Sequence, residues 1–149
     1  MKPCLSLAVL VMLCLPAIGG TDTSAIEGRW LTQEGDGWIR IALVGDSLEG
    51  SIAGAPPGSP SEREFDDRNP DPALRERPLD GLTILSGFEY AGDGQWKNGT
   101  VYDPNNGKTY KCSITLIDDN TLKLRGYIGI SLLGRSETWT RDDPSPSSN

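Results

Sequence analysis

The sequence predicts an all-β fold: an eight-stranded antiparallel up-and-down barrel with one short helical turn in a long crossover loop. Three observations predict it. Segments with apolar residues at every second position recur eight times, most are joined by short turns rich in Gly, Asp and Asn, and the stretch from Ala53 to Leu82 breaks the plan. In a domain of this size, a run of sequential hairpins favours closing the sheet on itself, because closure leaves no exposed edge. A β-sandwich is the alternative arrangement.

Taken in order, residues 1–20 read as a secretory signal. Lys2 supplies the charge, Leu5 to Leu15 an apolar run too short to span a bilayer, and Pro16 to Gly20 a turn with small residues. The domain is expected over residues 24–141, with a disordered Ser/Pro/Asp tail at 142–149. Glu27 to Leu31 opens it as a strand, and Gly35-Asp36-Gly37 turns the chain into Trp38 to Leu43. Gly45-Asp46 leads to Ser47 to Ile52, where Leu48 and Ile52 share a face.

The crossover then begins, carrying Pro56, Pro57, Pro60, Pro70, Pro72 and Pro78, none of which can donate to a sheet ladder. Within it, Asp71 to Pro78 reads as a helical turn, with Asp71 as N-cap and Pro72 at the first position. Strands resume at Thr83 to Phe88, Gln95 to Tyr102, Thr109 to Leu116, Thr121 to Tyr127 and Ser136 to Arg141. Asp103 and Lys108 flank one hairpin, where a turn-closing salt bridge is expected.

Composition excludes several chemistries. The chain has no histidine, which removes Ser-His-Asp and Cys-His nucleophile systems and His-ligated zinc. Without Cys4 and Cys14 of the signal, only Cys112 remains, so no internal disulfide forms. Its alternation with Tyr110 and Ile114 marks it as a buried structural thiol. The formal charge of −7 becomes −8 once Lys2 leaves with the signal, a surface that disfavours nucleic acid and anionic membrane as partners. No membrane span is expected after signal cleavage, and no cofactor is expected.

Two sets of residues point to families. Gly28-Arg29-Trp30 on the first strand and Arg141 on the last resemble the lipocalin/calycin superfamily, in which a late arginine covers the tryptophan and closes one barrel end. Asp66-Asp67-x-Asn69-Pro70-Asp71-Pro72, Arg77-Pro78-Leu79-x-Gly81-Leu82, Tyr102-Asp103-Pro104, Gly107-Lys108-Thr109-Tyr110 and Arg125-Gly126-Tyr127-Ile128-Gly129 are together similar to the exported bacterial family known as domain of unknown function 2147. That resemblance covers residues 25–141 and implies a periplasmic or secreted, lipocalin-like barrel. It implies no activity.

Three groups of side chains are candidates for a site. Asp67, Asn69 and Asp71 stand at the alternate spacing of calcium loops, although Pro72 replaces the expected glycine and Pro78 the terminal glutamate. Asp71 as a cap, with Asp66 and Asp67 paired to Arg75 and Arg77, is the structural alternative. Strict alternation from Trp96 places Asn98, Thr100 and Tyr102 on its face, and alternation from Trp139 groups Arg135, Glu137 and Arg141. If the tryptophans point inward, these groups line the barrel mouth; if outward, they are solvated. Arg125 and Tyr127 lie opposite Leu122 and Leu124, at a solvated or mouth position. The apolar segment Ile128 to Gly134 either plugs the mouth or meets a partner.

The favoured function is binding of a small, partly apolar ligand or a cell-envelope component, without catalysis. A carboxylate enzyme built on Asp66 to Asp71, perhaps with calcium, and an envelope interaction module are the alternatives.

Overall fold

The computed structural model describes residues 22–59, 63–128 and 134–143. Eight strands follow one another: β1 (Gly28–Leu31), β2 (Trp38–Val44), β3 (Ser47–Ile52), β4 (Thr83–Gly92), β5 (Gln95–Asp103), β6 (Lys108–Asp118), β7 (Thr121–Tyr127) and β8 (Arg135–Arg141). Each pairs antiparallel with the next, and β8 returns to β1 through Trp30↔Arg141 and Leu31↔Thr140, closing the barrel. The crossover contains a 3-10 turn at Pro72–Leu74, with the Asp71 carboxylate accepting from Ala73 N at 3.0 Å. The signal segment and Ile128 to Gly134 are expectations that fall mostly outside the described residues; Ile128 itself is exposed.

Sequential antiparallel pairing sends alternate connections to opposite barrel ends. One end carries the N-terminal 3-10 turn Thr23–Ile26 and the tight β2–β3, β4–β5 and β6–β7 turns. There Ile26 and Trp30 are fully buried, and Trp30 Nε1 donates to Ile26 O at 2.9 Å. The Arg141 guanidinium lies 4.3 Å above the Trp30 ring, donating from Nη2 to Ala25 O at 2.5 Å, from Nη1 to Glu27 O at 2.7 Å and from Nε to Asp119 O at 2.5 Å. One side chain thus lashes the N-terminal turn and the β6–β7 turn across the end of the barrel. Gly28, at φ +134, leaves the space: a Cβ there would lie 2.6 Å from Arg141 Nη1 and 2.7 Å from Asp143 Oδ2. Asp142 and Asp143, the first residues of the expected tail, bind Arg29.

Above this end, Leu48, Leu85, Phe88, Trp96, Ile114 and Leu122 fill the barrel with Ile41 and Cys112. Alternation along β4 and β5 is not strict. Gly87 (φ +74) lies between inward Leu85 and Phe88, and Asn98 (φ +62) between inward Trp96 and Gly99, each adding one residue to its strand. Gly99 is inward because a side chain could not be: its Cβ would run into the Phe88 ring. Replacing Gly99 by alanine should therefore lower stability by about 1–3 kcal/mol through overpacking. Gly37→Ala, whose Cβ would meet only Thr32 Cγ2 at 3.9 Å, should leave the thermal midpoint close to wild type when both are compared by calorimetry.

Candidate functional site

Among the described residues, the opposite end holds a cavity. Described residues of the β1–β2 and β5–β6 connections, of the crossover and of the facing ends of β7 and β8 line this cavity, of about 1040 Å³. Its walls are apolar and come from inward positions of six strands: Ile39, Ile52, Ile84, Val101, Leu124 and Trp139. Trp139 is inward, opposite Leu122 in the ladder and only 3% exposed. Polar groups enter at two points in the wall. Tyr110 extends beside Val101, its hydroxyl accepting from Asn106 Nδ2 at 2.9 Å, and Glu137 accepts from Trp139 Nε1 at 3.2 Å. Arg135 stands at the rim, 3.7 Å from Glu34, and Tyr127 reaches the same rim at the end of β7.

Of the residues expected around the mouth, Tyr102, Tyr127, Arg135 and Glu137 line the cavity, the last two as the Trp139 alternation requires. Asn98, Thr100 and Tyr102 do not share the Trp96 face. The extra residue at Asn98 reverses the phase of β5, so that Gly99 and Val101 point inward instead. Asn98 is exposed and donates to Glu89 at 3.0 Å, while Thr100 meets Ser86 on the outer surface at 3.3 Å. Arg125 donates to Ser136 at 3.1 Å from the face opposite Leu124. Trp30 and Arg141 lie at the closed end, remote from the cavity lining.

Tyr102 instead anchors the crossover. Its hydroxyl donates to Asp66 at 2.7 Å, Asn69 Nδ2 reaches both Asp66 (2.8 Å) and Tyr102 (3.0 Å), and Arg77 pairs with Asp66 through Nε (2.9 Å) and Nη2 (2.8 Å). Asp66 is fully buried, so its charge is held by this set of donors and by nothing in solvent. Burial alone would raise its carboxyl; the hydrogen bonds from Tyr102, Asn69 and Arg77, with the charge of Arg77, outweigh it and hold the group below the ordinary range. Burial and the neighbouring carboxylate push the Tyr102 phenol upward.

The remaining loop residues are similarly engaged. Asp67 pairs with Arg63 rather than with Arg75 or Arg77, and Arg75 donates to Asn69 O at 2.8 Å. Arg63 and Arg68 bind the carbonyls of Pro104 and Asn105, at 3.0 and 2.9 Å, so the crossover is fastened to the β5–β6 hairpin. Asp103 accepts from Asn105 N and from Asn106 Nδ2, both at 2.9 Å, and makes no ion pair with Lys108 among the described residues. Nor do the described residues contain a group of three or more acidic or thiol side chains placed to hold a metal ion. Cys112 is fully buried, and burial pushes its thiol up to about 12, which leaves too little thiolate for nucleophilic chemistry.

Sequence reasoning missed the apolar cavity wall and the role of Arg63. The wall could have been assembled from the inward alternation of β2, β3 and β7. Arg63 has a local partner in Asp67, but its anchoring contacts with Pro104 and Asn105 lie about forty positions away and carried no local signal.

An eight-stranded barrel sealed at one end by arginine over tryptophan, with an apolar-walled cavity toward the other among its described residues, is a lipocalin-like barrel. The chain belongs to the family described as "Uncharacterized protein conserved in bacteria (DUF2147)", matched over residues 28–141. Among solved structures it is similar to protein HP1028 from Helicobacter pylori, described as belonging to the lipocalin family. The two are 24% identical with a TM-score of 0.72, over 79% of this chain and 83% of that one, a likeness that shows the fold. No match was found among curated proteins. No helix among the described residues is long and apolar enough to cross a membrane.

The Asp66 cluster predicts an acid-sensitive crossover. A carboxyl whose folded pKa lies below its unfolded value near 3.8 stabilises the fold above that pH, and the contribution is lost as pH falls through the folded value. The thermal midpoint of the wild type should therefore drop on acidification through this range. Asp66→Asn should remove that part of the dependence, lower stability at neutral pH by about 1.5–3 kcal/mol, and speed tryptic cleavage after Arg68 and Arg75. A variant with wild-type midpoint and cleavage rate would show that the cluster does not hold the loop.

Proposed function

We propose that this protein is an exported barrel that holds a small, partly apolar ligand, or the apolar part of a cell-envelope component, in the cavity at the end opposite Trp30. One observation carries the reading: side-chain packing stops partway along the barrel. The closed half is filled by Trp30, Trp96, Phe88 and leucines, whereas toward the mouth the inward Ile39, Ile84, Leu124 and Trp139, with Val101 and Gly126, border a cavity that they do not fill. Gly126 makes the point locally. A Cβ there would make only ordinary contacts, at 3.8 Å, with Tyr110 and Val101, so a larger residue could occupy space that this sequence leaves empty. Apolar surface kept open to water is costly, and a site that trades it for ligand contact is the common use of such a cavity.

The carboxylate-enzyme alternative draws no such support, because the loop acids on which it depends are occupied as cap, ion pair and anchor. Export rests on the signal-like residues 1–20 and on the family resemblance.

The test is titration with the neutral fluorophore N-phenyl-1-naphthylamine. Saturable enhancement at one site per chain is expected. Val101→Trp, which would fill the cavity from its wall, should abolish the enhancement while leaving the far-ultraviolet circular dichroism unchanged. A wild-type protein that gives no enhancement, or a filled variant that binds as well as wild type, would remove the proposal.

A further inference from the structure

We infer that the ligand of this cavity is an amphipathic cation: an apolar body bearing an amine or quaternary ammonium group. The inference rests on the cavity being a binding site, and it adds the sign of the ligand's charge.

Around the cavity stand six carboxylates, Glu34, Asp36, Glu64, Asp80, Asp103 and Glu137, and two cations, Arg63 and Arg135. That is three acids to each base, against three to two for the whole chain, so the mouth is more acidic than composition alone would make it. Neither arginine neutralises it in full. Arg63 is spent on Asp67, which lies outside the cavity lining, and on the Pro104 carbonyl. Arg135 and Glu34 approach to only 3.7 Å, with side chains 75% and 65% exposed.

Glu137 separates this arrangement from a merely acidic rim. It occupies an inward position of β8, opposite Leu124 and two residues from Trp139, where a leucine would extend the apolar wall. Among the described residues its carboxylate takes a single hydrogen bond, from Trp139 Nε1, and no ion pair. A half-buried carboxylate beside an apolar wall attracts a cation that enters the cavity, repels an anion and adds nothing for a neutral ligand. A cation entering the mouth would pass the acidic ring and meet Glu137. The Trp139 indole and the Tyr110 ring belong to the same lining, and aromatic rings beside a carboxylate favour a cation over an anion.

The test compares three probes with one decyl chain and different heads: decyltrimethylammonium, decanol and decanoate. All are kept below micelle-forming concentrations, and binding is followed by calorimetry. The cation should bind roughly tenfold more tightly than decanoate, with decanol between them, and its advantage should shrink as salt is added. Glu137→Gln should weaken decyltrimethylammonium roughly fivefold and leave decanol unchanged. Asp80→Asn, at the rim, should act in the same direction by less and serves if the first variant fails to fold. Equal affinities, a preference for decanoate, or a Glu137→Gln variant that weakens all three probes alike would overturn the charge assignment while leaving the cavity as a binding site. No binding of any probe, together with no fluorophore enhancement, would remove both.

Discussion

The barrel depends on the contact between the Arg141 guanidinium and the Trp30 indole. The β8–β1 seam is the shortest in the ladder, with two register pairs, and Trp30↔Arg141 is one of them. A seam so short would fray if backbone hydrogen bonds alone held it. Arg141 instead stacks on the largest side chain of the closed end and donates to carbonyls of the N-terminal turn and of the β6–β7 turn. Closure of the sheet, docking of the chain's beginning and sealing of one barrel end are therefore one packing event. The glycine two residues before the tryptophan belongs to it, since any side chain at position 28 would occupy the place of the guanidinium.

With one end fixed, the other is free to differ. Large side chains accumulate near the seal, and the layers toward the mouth carry Val101, Gly126, Tyr110 and Glu137, which enclose space. Through its described residues, the crossover borders that space. Its two limbs pair with each other through Phe65↔Pro78, and it is bound sideways to the β5–β6 hairpin by Arg63, Arg68 and the buried Asp66 cluster. Its Asp66, Asp67 and Asp71 are consequently structural, and the acidic character of the mouth comes from its Glu64 and Asp80 together with Glu34, Asp36, Asp103 and Glu137.

Much of this was legible because alternation is a strong signal where one strand face is buried and the other solvated. Eight strands, the crossover and the Asp71 cap follow from local pattern, and the Trp30–Arg141 closure from the resemblance to the lipocalin/calycin superfamily. The inward set on β5 did not, because strict alternation from Trp96 carries the phase through Asn98 without a visible break. The signal was present as the dipeptide Asn98-Gly99, a pair suited to positive φ and to a bulge. The partners of Asp66 were half legible. Arg77 lies eleven residues away and was a natural candidate, whereas Tyr102 lies 36 away, on a strand whose facing could be known only from the packed barrel.

Cys112 has a consequence for how such a chain is made. It is the one cysteine beyond the signal-like segment, it lies at zero exposure in the filled half of the barrel, and its thiol remains protonated at physiological pH. The fold requires no oxidation step to mature, and once folded it offers no thiolate to a neighbouring chain or an oxidant. The covalent structure of the described residues is therefore the same in reducing and in oxidising surroundings.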